Sequence, residues 1–597
     1  VFAAAIAVRR GTCLAWLSRH AEAERDLRAG IDVLAARPAE FGAEARVGYI
    51  MLAKLATRRL DYDAGIAAAT RALALSTAGE RAAPLFLLAS FTRFDGDGAA
   101  VRYSIEALQL VQAKPGVTKA EIASAQTLAG RALLAANRMA EGNTMLKQAL
   151  ANSGGLTQRV DLQDIATRYD LAQAALLLKR PSEAKTYLAH TGAGRIAETP
   201  FARAEQIDTP ACGSVPGMTP DAMAVVEFSL AEDGSVSRAE PVYAQGDRQV
   251  AVAFARAVMD WSWAADKAKA IPAFYRMLTR VEVRCTNAAQ ARSNLMTPLD
   301  TAAAAWFEER GVAPADEREN AAEAGRWRQQ ATGADMAALA ANLRMSTSWL
   351  FTSDEAVAAA RRAAALAGPL GAPQSVRTRA GIAAIEREPV PKFTDEASFV
   401  RERTRKITAW RALLTHPGVV ADPISAATLR LKIAEWLNID RTKPNAEADA
   451  LTTAVSEDPG LPERHPLRVH ALLARANRAA AAGDLAGAGA LFARTGLTEQ
   501  QCALVAPRPI MRRQGASFHL YPTDAMQLGF GGWAQIEFDI AADGRTAQRR
   551  TLLAYPPFVF GDAAQAMIAA TRYEKSYRPD TGVACSANQT SITFQMP

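Results

Sequence analysis

The strongest constraint on the fold of this chain is a nine-residue pattern that occurs twice. The first copy spans residues 226–234 and the second spans residues 536–544, at an offset of 310 residues. Each copy alternates apolar and polar residues and ends in Asp-Gly, as expected for a strand with one buried face that runs into a tight turn. The pattern therefore predicts two strands whose apolar side chains, including Phe228 and Phe538, point to one side.

The segments that follow the two copies also correspond. In each copy a second β-like stretch, an apolar helical segment and a closing strand follow: 235–244, 250–259 and 279–284 in the first copy, and 545–554, 562–571 and 591–596 in the second. Each unit therefore has the predicted order β-β-α-β. At about 90 residues each, the units are long enough for one small core.

The second unit resembles a known family in the order of its residues over about 75 positions. The matching positions are Tyr521-Pro522, Ala525, Gly532, the strand 536–540, Asp543-Gly544-Arg545, Leu552-Leu553, Pro556, Phe560, Ala566-Met567, Arg572-Tyr573, Pro579 and Ile592-Thr593-Phe594. This set is similar to the C-terminal domain of the TonB energy-transducer family. The first unit resembles the same domain in degraded form, because it keeps the strands and the Asp233-Gly234 turn but lacks the Tyr-Pro, Phe and Arg-Tyr positions.

The resemblance implies a partner-binding edge. Domains of this family bind a short extended segment of an outer-membrane transporter by strand addition beside their last strand. The corresponding edge here is Ser591, Ile592, Thr593 and Phe594, with Tyr521 and Pro522 nearby. Phe538, Ile540 and Phe594 are expected to be core residues. The resemblance also implies a periplasmic location in a bacterial envelope and a role in transmembrane transport.

The chain departs from an energy transducer in two respects. No stretch approaches the roughly 18 to 20 apolar residues that a membrane-spanning helix needs, and the 29 prolines are scattered instead of forming a spacer. Two alternatives remain open at this point: an anchor precedes Val1, or the protein is a soluble periplasmic relative.

Residues 1–199 carry a recurring phrase, in which a helical pattern ends in a short polar turn and a second begins with a small residue. The small residues are Ala23, Ala64, Ala99, Gly142 and Ala184. Their spacing of 35 to 43 residues resembles divergent tetratricopeptide (TPR) repeats, although it exceeds the roughly 34 residues of that repeat. The phrase predicts stacked helical hairpins.

A second helical block is predicted over residues 291–500. Its candidate helices are 356–367, 399–414, 426–438, 446–455 and 469–482, and a weaker copy of the phrase occurs at residues 482–488. The predicted fold class is therefore α+β, with helical blocks at 1–199 and 291–500 alternating with β-units at 200–290 and 501–597. A tandem duplication would explain this order.

The cysteines bracket the two β-units. Cys212 and Cys285 flank the first unit, and Cys502 and Cys585 flank the second, with Cys585 just before its last strand. Two readings are open: these are small buried apolar residues, or each pair forms a disulfide, as small domains in oxidising compartments do. The bracketing favours two disulfides. Cys13 is left over in a helical pattern, where a buried thiol is expected.

Catalytic and metal-binding patterns are scarce. The six histidines form no ligand set, and no nucleophile elbow, phosphate loop or dinucleotide fingerprint occurs. The net charge of +7 is dispersed, which favours a solvated surface over nucleic-acid binding. The sequence therefore predicts a non-enzymatic protein without metal or cofactor that binds protein partners. Such a protein either binds a transporter segment at the edge of the second β-unit or serves as an envelope scaffold that binds through a helical groove.

Overall fold

The computed structural model describes residues 1–157, 161–192, 207–288, 294–312, 321–348, 350–388, 395–438, 445–498, 509–515, 518–527, 529–580 and 582–595. Within these ranges, most elements are helices and the strands form one six-stranded and one two-stranded sheet. The structure thus contains the helical blocks and the two β-β-α-β units that the sequence predicts.

The first block consists of antiparallel helix pairs. In chain order the helices are α1 (Phe2–Trp16), α2 (His20–Ala35), α3 (Pro38–Arg58), α4 (Tyr62–Ala74), α5 (Ala82–Phe91), α6 (Ala99–Ala113), α7 (Lys119–Ala135), α8 (Met139–Asn152), α9 (Leu162–Leu177) and α10 (Pro181–Ala189). Each predicted polar turn joins an odd-numbered helix to the next even-numbered one. The odd-numbered helices also contact one another in succession, as in a helical solenoid.

In four of these helix pairs, the turn between the two helices has the same backbone conformation. Ser18, Leu60, Asn137 and Lys179 each adopt a left-handed conformation, with φ between 54° and 61°, directly after the first helix of the pair. Small residues then allow close packing of the second helix. A Cβ atom at Gly142, for example, would lie 2.8 Å from the side chain of Leu134. The repeats therefore share the left-handed turn conformation, although the residue type at that position differs from repeat to repeat.

The two β-units use corresponding elements. The first contains β1 (Met223–Leu230), β2 (Val236–Gln245), α11 (Arg248–Met259), α12 (Ala265–Ala270), α13 (Ala273–Arg276) and β3 (Thr279–Arg284). The second contains β4 (Met511–Arg513), α25 (Thr523–Gln527), β5 (Gly532–Ala541), β6 (Thr546–Tyr555), α26 (Gly561–Ala570), β7 (Arg572–Tyr573) and β8 (Val583–Phe594). Strand β8 begins eight residues before the predicted closing strand, so Cys585 lies inside it and not ahead of it.

The strand registers of the two units are equivalent. Val225 lies opposite Tyr243 in the first unit, and Gln535 lies opposite Leu553 in the second, at the same offset of 310 residues as the sequence pattern. Both units also shift register directly after these residues. The Asp-Gly turns correspond too: Gly544 has a φ of +83°, and an added Cβ would clash with a backbone carbonyl, as it would at the equivalent glycine of the first unit.

The two units join edge to edge in a single sheet. The strand order is β2-β1-β3-β6-β5-β8, with β3 and β6 antiparallel. Val283 lies opposite both Ala224 and Leu553, and Leu553 lies opposite Gln535, so these four side chains share one face. In the first unit this face packs against α11, whereas α26 packs against the other face of the second unit. The two helices therefore lie on opposite faces of the sheet.

The polar positions of the alternating strand pattern do not lie on the solvated face that the pattern predicts. Glu227 and Glu537 occupy polar positions of the pattern, yet they are only 5% and 2% exposed. The reason is that both faces of the central strands are covered, one by the unit's own helix and the other by neighbouring elements. A polar position then marks a buried ionic contact instead of a solvated face.

The second block also consists of packed helices. In chain order they are α14 (Thr297–Glu308), α15 (Ala321–Ala331), α16 (Met336–Thr347), α17 (Ser353–Ala367), α18 (Gln374–Arg387), α19 (Glu396–Leu414), α20 (Pro417–Ala421), α21 (Pro423–Leu437), α22 (Ala446–Ser456), α23 (Pro466–Ala481) and α24 (Leu485–Thr495). All five helices predicted from the sequence of this block are present. The block reaches the second β-unit where the side-chain oxygen of Asn477 accepts a hydrogen bond from the Tyr577 amide, at 2.8 Å.

Candidate functional site

Strand β8 forms one end of the six-stranded sheet. It pairs with β5 along one side, and no strand in the described part of the chain pairs with its other side. The outer edge of β8 (the β8 edge) is therefore open to an added strand, because the backbone groups of an edge strand can pair with another chain.

The four residues predicted to bind a partner lie along this edge. Ser591 and Thr593 are exposed, Ile592 is half-buried, and Phe594 is 2% exposed. Ser591 and Thr593 lie opposite Gln535 and Trp533 of β5, whereas Ile592 lies opposite Ala534 on the face that packs against α26. The edge therefore has one polar side and one apolar side.

Tyr521 and Phe594 belong to an aromatic cluster in the core. The ring centroids of Tyr521 lie 5.9 Å from Phe560 and 5.7 Å from Phe594, and the Tyr521 hydroxyl donates a hydrogen bond to the Phe530 carbonyl. Phe594 is thus a core residue, as expected. Tyr521 is buried as well, and Pro522 next to it is half-buried. Tyr521 therefore packs against the end of β8 through Phe594 and is not itself an exposed contact residue, whereas Pro522 keeps part of its surface exposed.

A β-bulge divides β8 into two parts. Phe538 lies opposite Asn588 and Ile540 opposite Cys585, so β8 has one residue more than β5 in this interval. Ala587 has a φ of 51°, and its amide donates a hydrogen bond to the Asp539 carboxylate at 2.8 Å. The regular part of the open edge is therefore residues 588–594, which includes all four predicted edge residues.

The opposite end of the sheet is protected. Strand β2 contains Pro241, which has no amide hydrogen, and the Pro241 carbonyl accepts a hydrogen bond from Arg93 at 3.1 Å. Helices α3, α7 and α11 also contact this strand. Of the two ends of the sheet, β8 is the one suited to strand addition.

A buried ionic cluster attaches the sheet to the first helical block. Its shortest contacts join Arg280 of β3 to Asp170 of α9 at 2.6 Å and to Glu227 of β1 at 2.7 Å, and Arg131 of α7 to Asp170 at 2.7 Å. All four side chains are at most 8% exposed. Burial would lower the pKa of the Arg131 guanidinium, but the carboxylates of Asp170 and Glu227 raise it.

A second ionic contact lies at β2. Burial opposes the ionisation of Glu240, but the guanidinium groups of Arg238, Arg93 and Arg131 outweigh this effect and lower its pKa to about 2. Arg238 contacts Glu240 at 2.6 Å and Arg93 contacts it at 3.5 Å. The inner face of the helical block near α7 and α9 is therefore occupied by the sheet of the same chain, which limits the use of this face as a groove for partners.

The disulfide region is linked to the second β-unit. Cys212 and Cys285 form a disulfide in the structure. The adjacent Thr286 hydroxyl donates a hydrogen bond to Glu537 at 2.5 Å, and Arg550 contacts the same carboxylate at 2.8 Å. Thr286 also accepts a hydrogen bond from Gln589 of β8 at 2.8 Å. The first disulfide thus lies within a hydrogen-bonded network that reaches the β8 edge.

The other cysteines are placed as follows. Cys585 is disulfide-bonded and buried, while Cys502 lies outside the described residues. Cys13 is a free cysteine and is exposed on α1, so the expectation of a buried thiol is wrong. The reason is that α1 packs against α2 and α3 through Ala5, Val8, Gly11 and Leu14, and Cys13 lies outside this buried set.

The described ranges contain no group of three or more His, Cys, Asp or Glu side chains that could hold a metal ion. Of the helices within them, none combines the length and the apolar character needed to cross a membrane.

No protein-family model and no curated protein matches this chain, so the resemblance to the TonB family lacks this support. Among solved structures, the chain is similar to the crystal structure of the P58(IPK) TPR domain, with 9% sequence identity, a TM-score of 0.15, and coverage of 74% of this chain and 99% of that chain. The TPR-like arrangement follows from the helical hairpins described above.

Proposed function

We propose that this chain is a protein-interaction scaffold that binds an extended segment of a partner protein by strand addition at the β8 edge. The observation that carries this proposal is the occupied edge of the first unit. Glu282 and Val283 lie opposite Val225 and Ala224, and their counterparts in the second unit are Ser591 and Ile592.

At these equivalent positions the first unit already accepts a strand. Glu282 pairs with Ala554 and Val283 pairs with Leu553, both in β6. The closing strand of this type of unit therefore supports antiparallel strand addition in the same molecule. In the second unit the same backbone positions face outward.

The resemblance to the TonB family supports a more specific partner, namely an N-terminal segment of an outer-membrane transporter. The same resemblance, together with the disulfides, supports a periplasmic location, because disulfides persist in oxidising compartments. On this proposal the protein catalyses no reaction and needs no cofactor. Its helical blocks hold the sheet in place and offer further surface for partners.

A second candidate function is an envelope scaffold that has no role in energy coupling. It is favoured by an open hollow of about 460 Å³ on α8, which Asn143, Lys147, Gln148 and Arg180 help to line. On this alternative, partners bind the outer surface of the helical block. The two candidates differ in which surface is required for binding.

Binding measurements with the full chain test the proposal. Labelled peptides from the N-terminal segments of outer-membrane transporters are titrated and their fluorescence anisotropy is recorded. We expect weak binding that is lost when alternate peptide amides are N-methylated, because strand addition depends on backbone hydrogen bonds. Binding that persists after N-methylation, or that requires Lys147 and Gln148 instead, contradicts strand addition and favours the second candidate.

A further inference from the structure

We infer that the β8 edge recognises an antiparallel segment of a partner protein with an apolar residue opposite Ile592 and polar residues on either side of it, in the register that β6 adopts on β3. This inference rests on the proposed function and specifies its ligand. The internal β3–β6 junction supplies the orientation, the register and the apolar position, and the exposed residues of β8 supply the polar positions.

Orientation and register come from the pairing at β3. Strand β6 runs antiparallel to β3, with Ala554 opposite Glu282 and Leu553 opposite Val283. Transferred to the second unit, the same arrangement places one residue of the added segment opposite Ser591 and the preceding residue opposite Ile592.

The apolar requirement comes from the environment of these positions. Val283 and Leu553 are both fully buried, and they belong to a cluster that includes Trp533 and Tyr555. At the β8 edge, Ile592 is only half-buried and packs against the cluster that contains Tyr521, Phe560 and Phe594. An apolar side chain opposite Ile592 would cover it as Leu553 covers Val283, and burial of such a side chain favours binding.

The polar requirement comes from the other face of the same edge. Ser591 and Thr593 are exposed, and their neighbours Gln535 and Gln589 are half-buried and uncharged. A residue opposite Ser591 therefore stands next to solvent and polar side chains. An alternating segment satisfies both faces, whereas a uniformly apolar one exposes apolar surface.

Side-chain contacts of Glu282 stabilise the β3–β6 junction, and Ser591, at the equivalent position of β8, cannot form the same ion pair. Glu282 accepts a hydrogen bond from the Phe558 amide at 3.1 Å and pairs with Arg284 at 2.9 Å. Arg550 of β6 donates to the Pro220 carbonyl at 2.8 Å. A serine at the position of Glu282 cannot form such an ion pair. The β3 edge is therefore closed within the chain, while the β8 edge suits a segment that binds and dissociates.

Within the described residues, a second copy of this chain offers no unpaired strand equivalent to β6. Strand β6 is already paired on both sides, and the outer edge of β2 contains Pro241 and is contacted by Arg93. Strands β4 and β7 form a separate sheet but have only three and two residues, which is too short to match the pairing of β6 on β3. Two β8 edges could also pair with each other. The expected occupant is a segment of another protein, and self-association is measured as a competing outcome.

The probe is a capped, labelled peptide with the sequence of residues 549–557, which contains the pairing part of β6, and it carries Leu552→Ser and Ala554→Ser to supply the two polar positions. We expect the full chain to bind it. Replacing the residue that corresponds to Leu553 by Asp should weaken binding at least tenfold, because it places a charge beside Ile592. The matched peptide that keeps alanine at position 554, on the polar face, should differ in affinity by less than twofold.

Orientation is tested by cross-linking. In a Cys13→Ser background, a Thr593→Cys variant is mixed with probe peptides that carry a cysteine at the position of either Leu552 or Ala554. The antiparallel register places position 552 opposite residue 593, so it predicts disulfide formation at least fivefold faster with the cysteine at position 552. Faster reaction of the cysteine at position 554, or equal affinity of the Leu553→Asp peptide, would overturn the inference.

The outcomes separate the inference from the proposed function. If transporter-derived peptides bind at the β8 edge and the β6-derived peptide does not, the inference is wrong and the proposed function stands. If no extended peptide binds, both are wrong. If sedimentation velocity shows a dimer without peptide that Thr593→Pro converts to monomer, a second copy is the occupant and the partner assignment is overturned.

Discussion

Val283 of β3 lies directly opposite Leu553 of β6, and this pair joins the two β-units into one sheet. Both side chains are fully buried. The residues are 270 positions apart in the chain, so the junction closes a large loop that contains the whole second helical block. The two units are therefore expected to depend on each other for stability.

Truncation at this junction should destabilise the protein. We expect Leu553→Ala to reduce the free energy of unfolding by about 2 to 5 kcal/mol, because it leaves a cavity in a closed core. Urea denaturation followed by circular dichroism measures this loss. The matched control Leu485→Ala, at a side chain that is 63% exposed, should change stability by less than about 0.5 kcal/mol. Equal effects of the two substitutions would contradict the account of the junction.

The buried ionic cluster should be sensitive to the loss of one partner. Asp170 contacts both Arg131 and Arg280, so Asp170→Asn leaves two buried guanidinium groups with less compensation. We expect a loss of about 3 to 5 kcal/mol in the free energy of unfolding. The exposed pair of Arg138 and Glu141 provides the control, since Glu141→Gln should leave the free energy of unfolding nearly unchanged. A small effect of Asp170→Asn would show that the cluster does not hold the sheet on the helices.

The stability contribution of Glu240 should depend on pH in one direction. Its pKa in the folded protein is lowered to about 2 from an ordinary value of 4.5, so the contribution is present above pH 4.5 and is lost as the pH falls from about 4.5 to 2. We expect wild type to exceed Glu240→Gln by on the order of 3 kcal/mol at pH 6. The difference should shrink toward pH 2, and urea midpoints across this range measure it. A difference that stays constant would contradict the assigned pKa.

The disulfides give a chemical prediction. In native, unreduced protein we expect alkylation of Cys13 alone, and peptide mapping should recover a Cys212–Cys285 link and a Cys502–Cys585 link. Replacing Cys212 and Cys285 by serine should cost about 2 to 4 kcal/mol. If all five thiols react without reduction, the argument for an oxidising compartment fails.

Much of the fold could be predicted from local sequence patterns. The inter-helix turns of the first block and the strands that end in Asp-Gly follow short-range rules on turns and periodicity. Residues such as Asn137 and Gly544 therefore indicate the positions of turns without information from the rest of the chain. The start of β8 could not be predicted in this way, because the bulge at Ala587 interrupts the alternation that marks a strand.

The relationship between the units could not be predicted either. Nothing in the sequence near Leu553 indicates that β6 pairs with β3, since strand pairing over such a distance leaves no local pattern. For the same reason the alternation alone predicts a solvated face for Glu227 and Glu537, whereas both are buried ionic residues in the structure. Of the candidate site, the edge residues Ser591 and Thr593 are exposed on an open edge, whereas Tyr521 belongs to the core.

A pair of substitutions at Thr593 tests most directly whether β8 accepts a partner strand. Proline at this position removes a backbone N–H from the strand, whereas alanine removes only an exposed side chain. Peptide binding by the full chain is measured by fluorescence anisotropy, with circular dichroism to verify folding and N-methylated peptides as a second test on the unaltered protein. We predict that Thr593→Pro and N-methylation abolish binding while Thr593→Ala retains most of it. Binding that survives both backbone changes would contradict strand addition at the β8 edge.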